Sequence, residues 1–186
     1  ENARAKKLFQ TVSYAPHFIS TIVLCGMVTL FLSPSSGIVN RALELLGGES
    51  VYFMAKPQMF KWIYVCSGIW QETGWNTIIY TAALSGVDKA LIEAARIDGA
   101  SIRQKIWHIH LPVLLPTVIV LFVLRCGSLF SIGYEKAYAL QTSQNIMGAE
   151  VISTYAYKVG LGAGSDFSFS ATVGLFNSAC NSLILL

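Results

Sequence analysis

The stretch EAARIDGASIRQKIWHIHLP, residues 93–112, is a compact, charged, helix-prone insert between long apolar runs. Just before it, DKALIEAARI (88–97) is rich in good helix formers. Asp88 is placed to cap the start, and Ala90, Leu91, Ala94 and Ala95 recur at helical spacing. Asp98-Gly99 ends that helix, because glycine supplies a backbone that turns with positive φ. A second helical stretch runs from Ser101 towards Ile109, and Pro112 suits the first turn of the apolar run that follows. The segment therefore predicts helix, turn, helix. Small Ala94 and Ala95 admit a close neighbour, while Glu93, Arg96 and Asp98 offer charges for pairing. The alternative is a solvated hairpin that only links two apolar segments.

Composition says which solvent surrounds this hairpin. The chain is 54% hydrophobic and 12% charged, against roughly 25% charged in soluble domains. Such a surface does not suit water, so the fold class expected is an all-α, polytopic membrane bundle. The net charge is +3 and the 13 basic residues are scattered, which argues against nucleic acid as a partner. Four apolar stretches, at about 12–32, 60–84, 112–132 and 167–186, approach the roughly 20 residues that a bilayer crossing needs. The first follows Arg4, Lys6 and Lys7 without a small-residue cleavage site, so it does not read as a signal peptide. Residues 1–186 read as one transmembrane domain. The opening at Glu1 and the end inside an apolar run read as a fragment of a longer chain.

Cys25, Cys66, Cys126 and Cys180 each lie alone in a different span, without redox or zinc spacing. His108 and His110 fall on different faces of a helix, so no metal site is expected. Lys and Arg number seven in the opening ten residues and the 88–110 segment, against four in the two other connections. That bias places the N-terminus and the hairpin on the cytoplasmic side. On the outer side, SGIVNRALELLGG (36–48) predicts an interfacial helix started by Ser36 and ended by Gly47. Ile38, Ala42, Leu45 and Leu46 lie on one of its sides and Asn40, Arg41 and Glu44 on the other. GLGAGSD (160–166) lacks the spacing of a phosphate-binding loop and reads as a turn.

Glu93-Ala94-Ala95, three residues, Gly99, nine residues, then Ile109-x-Leu111-Pro112 resembles the EAA loop of the membrane subunits of bacterial ATP-binding-cassette importers. QTVSYAPHFIS (10–20), IWQETGWNTIIYTAAL (69–84) and IDGAS (97–101) extend the resemblance over nearly the whole chain, towards the carbohydrate and oligosaccharide branch. It implies a type I importer permease-like core, normally of about six spans, in the bacterial inner membrane. It also implies that the chain is no enzyme. In the family the EAA helix docks into a cleft on a cytoplasmic ATPase dimer, whose ATP-driven closure moves the membrane helices. Carried over, Glu93 pairs with a basic group on the ATPase, and Ala94 and Ala95 pack against it. Arg96 and Asp98 flank that contact, Gly99 makes the turn, and Ile109, Leu111 and Pro112 join the loop to the moving span. The resemblance further implies a second, non-identical permease, an extracytoplasmic solute-binding protein and a carbohydrate cargo. The chain itself binds no cofactor, since ATP belongs to the partner.

A solute path is lined by groups that lipid excludes. Glu72 lies mid-span, with Asn76 and Tyr80 on its face, and Arg125 lies two thirds along the third span. Asn177 and Asn181 belong to a polar stripe on the fourth. With Trp70 and Trp75 nearby, these groups offer the hydrogen bonds and flat apolar faces that suit sugars. Polar residues also join transmembrane helices, and Glu72 with Arg125 forming an ion pair inside the bundle is the plainer reading. A passive channel, a soluble helical protein, and an importer of peptide or metal complexes are the rival readings.

Overall fold

The computed structural model describes residues 3–162 and 166–185. Among them helix is the only regular secondary structure. Helix α1 (Ala3–Tyr14) meets a 3-10 turn (Ala15–Phe18) and then α2 (Thr21–Phe31). Short α3 (Ile38–Leu45) and a second 3-10 turn (Phe53–Ala55) lead to the long α4 (Pro57–Ser85). The hairpin comprises α5 (Lys89–Ile97), α6 (Ile102–Lys105) and a π-helical turn (Ile106–His110), and continues without interruption into α7 (Leu111–Cys126). Helices α8 (Tyr134–Leu140), α9 (Ile146–Ala149) and α10 (Ile152–Leu161) precede α11 (Phe167–Leu185).

Two of the expected spans are corrected. The stretch 12–32 is not one helix, since the chain bends by 106° between Arg4–Phe18 and Thr21–Phe31. Pro16 cannot donate within a helix, and Ser20 starts a new one by accepting the Val23 N–H at 3.4 Å. The third span begins earlier and ends sooner than 112–132. It runs Ile102–Cys126, with a mean hydropathy of 2.1. The π turn lets the helix absorb Pro112, whose ring and missing N–H disfavour a plain α-helix there. At its other end Asn181 on α11 accepts the Phe130 N–H at 3.1 Å and donates to the Ser131 hydroxyl at 2.8 Å, which holds the chain in a turn after Gly127. Among the described residues, Ile102–Cys126 alone is long and apolar enough as a single helix to cross a membrane, and the bent pair is a second candidate.

Helix α4 is less apolar than that helix but has the length. Its 29 residues extend about 43 Å at 1.5 Å each, beyond the roughly 30 Å of a hydrocarbon core. Several of its hydroxyls are satisfied internally. Ser67, Thr73, Thr77, Thr81 and Ser85 donate to carbonyls one turn back, the arrangement lipid demands.

The core is small and lies where α2, α4, α8 and α9 meet, around Cys25, Met54, Phe60, Ala137, Leu140 and Ala149. Much of the large apolar surface faces outward instead, including Phe122, Leu124, Leu175 and Phe176. Helix α3 is started by Gly37 without a side-chain cap, not by Ser36, while Gly47 ends it with φ +83° as expected. Its apolar side is exposed, and buried Asn40 ties it to its flanks. Asn40 accepts the Val51 N–H at 2.8 Å and donates to the Ser33 and Val51 carbonyls, each at 2.9 Å.

Candidate coupling hairpin and transport face

The hairpin is locked by its caps. Asp88 Oδ1 accepts the Ala90 N–H at 2.9 Å, which satisfies a donor at the start of α5. At the other end, Gly99 has φ +71° and donates to Arg96 O at 3.1 Å, while Ala100 donates to Ala95 O at 2.9 Å. These two bonds form a Schellman stop. One residue later Ser101 opens the next helix with a capping box, its N–H donating to Gln104 Oε1 at 2.7 Å and its Oγ accepting the Gln104 N–H at 3.4 Å. The elbow between α5 and α6 is thus fixed by backbone geometry, with little contact from the rest of the bundle.

This geometry sorts the candidate residues into a face and a root. Glu93, Ala94, Arg96, Asp98 and Gly99 are exposed, and Ala95 is half-buried over a cavity of about 200 Å³ that it shares with Ala100, Gln104, His108 and Ile109. Ile109 is buried at 8% exposure, whereas Leu111 and Pro112 stay on the surface at the root of α7. Ile97 and Ile102, at 87% and 77% exposure, flank the elbow and add an apolar rim that sequence reasoning missed. Position relative to the α5 charges was the missing signal, because the pair looks apolar and therefore internal in a linear reading.

The proposed transport residues are only partly assembled. Asn76, Tyr80 and Arg125 come together with Val118, Leu121 and Phe122 around a cavity of about 300 Å³ between α4 and α7. Glu72 does not join Arg125. Its Oε1 lies 3.5 Å from His17 Nδ1, within ion-pair reach, and His17 stacks on Trp75 with ring centroids 4.4 Å apart. Asn177 is half-buried, and Asn181 is buried with its amide committed to Phe130 and Ser131. The centre of the glycine-rich stretch, residues 163–165, lies outside the described residues.

A further polar pocket was not anticipated. Lys136 on α8, one of the four basic residues of the two other connections, is half-buried against α4, with its Nζ 5.0 Å from the Tyr64 ring centroid. Burial lowers its pKa from the ordinary lysine value, while Cys25 and then Glu72 act in the opposite direction.

The fold belongs to a known class. Over its whole length the chain superimposes, with a TM-score of 0.93 and 39% identity, on 64% of a chain in the crystal structure of a bacterial ABC transporter involved in the import of the acidic polysaccharide alginate. This is the all-helical fold of an ABC importer permease. Residues 1–178 match the family described as binding-protein-dependent transport system inner membrane component, and the chain belongs to that family.

Relatives agree. The chain is 37% identical, over 97% of its length, to 56% of the polygalacturonan/rhamnogalacturonan transport system permease protein YteP of Bacillus subtilis. It is 30% identical, over 90% of its length, to 53% of the arabinooligosaccharides transport system permease protein AraP of Halalkalibacterium halodurans. The chain spans about half the length of these curated relatives.

Proposed function

We propose that this chain is the greater part of the membrane permease subunit of an ABC importer, carrying an oligosaccharide inward and coupling that movement to ATP hydrolysis on a separate cytoplasmic ATPase dimer. The observation that carries this reading is the capped hairpin. It presents Glu93, Ala94, Arg96 and Asp98 outward, and beyond the fixed Gly99 elbow one helical rod runs from Ile102 through the buried Ile109 into α7. Force applied at α5 therefore has a stiff route to the membrane helix that borders the Asn76–Tyr80–Arg125 cavity. The chain supplies no catalytic group in this scheme, and the nucleotide is bound and cleaved by the partner.

The cargo assignment is supported by the sugar-transport names of YteP and AraP. The involvement of an external solute-binding protein is supported by the related alginate transporter, solved with a pentasaccharide-bound periplasmic protein. A second, non-identical permease completes the path, and the N-terminus and hairpin face the cytoplasm of a bacterial cell with a multi-pass chain in its inner membrane. The test is photocrosslinking from position 96 in native membranes, with mass spectrometry of what is captured. An ATPase bearing a phosphate-binding loop, its capture abolished by Glu93→Lys, is the expected product. Capture of no ATPase by a correctly inserted protein would favour a passive channel with a solvated hairpin.

A further inference from the structure

Lys136 lies inside the bundle and forms no ion pair among the described residues. Lys136 is half-buried, and a Cβ at Gly68 would stand 3.2 Å from its Nζ, so the α4 backbone runs beside the ammonium. Among the described residues the acid–base contacts are Lys158–Glu150 and His17–Glu72, the second an ion pair only when His17 is protonated; neither involves Lys136, which Glu72 reaches only as a longer-range attraction. Neighbouring Glu135 borders the same cavity but forms no ion pair with it. A charge partly withdrawn from water and left unpaired is costly, and such groups concentrate at binding sites.

The surroundings of Lys136 are those of a sugar site. It borders a cavity of about 350 Å³, together with Thr21, Tyr64, Gln71, Tyr134 and Glu135. That is at the small end of the roughly 300–1,000 Å³ range of ligand pockets. Aromatic faces continue outward from it, since Tyr134 stacks on Tyr157 at 4.8 Å and Tyr138 meets Tyr157 edge-on at 5.3 Å. Flat aromatic faces receive the C–H faces of pyranose rings, and hydroxyl, amide and carboxylate groups receive ring hydroxyls. A lone ammonium matches a single carboxylate. A phosphate dianion is better matched by several cations or a bidentate guanidinium, and this lining holds one cation.

We propose that the α2–α4–α8 pocket is a subsite for a uronic acid ring of the cargo, with its carboxylate on Lys136 and its ring against Tyr64 and Tyr134. This rests on the oligosaccharide importer reading and narrows it to acidic chains.

The experiment uses the full-length permease with its partner permease, ATPase and solute-binding protein in proteoliposomes. It compares ATP-driven uptake of tetragalacturonate, a neutral arabinotetraose and a sugar phosphate. The expected result is uptake of tetragalacturonate that falls at least tenfold in Lys136→Gln and in Lys136→Met, returns to within about threefold in Lys136→Arg, and leaves ATPase stimulation by the binding protein intact. Uptake of tetragalacturonate unchanged in Lys136→Gln and Lys136→Met would overturn the proposal, as would equal loss in Lys136→Arg, which marks a packing role. Preference of the unaltered transporter for arabinotetraose or the sugar phosphate would overturn it too. Arabinotetraose preference would leave the importer reading standing. No ATP-driven uptake of any oligosaccharide would instead defeat the importer reading itself.

Discussion

Gly99 is the residue on which the hairpin turns. Its φ of +71° lies in the left-handed region, where nothing crowds the position and only backbone conformation decides what is tolerated. A side chain there costs about 1–2 kcal/mol, least for asparagine and most for β-branched residues. Gly99→Val is therefore expected to disorder the elbow and lower ATP-driven uptake at least tenfold, whereas Gly99→Asn keeps most of it; equal uptake in both variants would remove the turn from the mechanism. Asn40 works by the opposite principle, through side-chain bonds. Its replacement by alanine leaves the Val51 N–H without its partner, a loss of about 1–3 kcal/mol. Thermal unfolding in detergent should show that loss, with α3 exchanging its amide hydrogens early.

Among the elements, the join of α1 to α4 depends on one missing side chain. At Gly74 a Cβ would overlap the Ser13 carbonyl, so α1 packs directly on the α4 backbone. Gly74→Val should cost about 1–3 kcal/mol by overpacking and raise the protease sensitivity of α1; resistance like that of the unaltered protein would mean α1 is held by other contacts. The end of α7 is held from a distance. Asn181, 51 residues away in sequence, captures the Phe130 N–H. Loss of that partner in Asn181→Ala should lower the melting temperature by several degrees while leaving the hairpin crosslink of position 96 in place.

On the scale of the whole molecule, the outward apolar faces of α7 and α11 are the surface of a protein whose solvent is lipid and neighbouring helices. Alkaline carbonate washing of membranes should leave the chain in the pellet, and its release would contradict an integral placement. Much of this was legible in the sequence. Low charge and long apolar runs determined the all-helical membrane class, because only internally bonded backbone survives in lipid. Asp88, Gly99 and Ser101 determined the hairpin, because caps and a positive-φ turn act within a few residues. What the sequence left open depended on distant partners. Hydropathy sees the apolar content of 12–32 but not the bend that Pro16 and Ser20 impose, nor that Asn181 folds back residues 130–131. Helical spacing put Glu72 on a face with Asn76, yet only the packing of the 3-10 turn against α4 gave it His17 instead of Arg125. Lys136 was one loop charge among several until α8 packed against α2 and α4 and closed an aromatic pocket around it. Local order follows from short-range backbone and solvation rules, whereas the pairing of polar groups across helices exists only once the helices have packed.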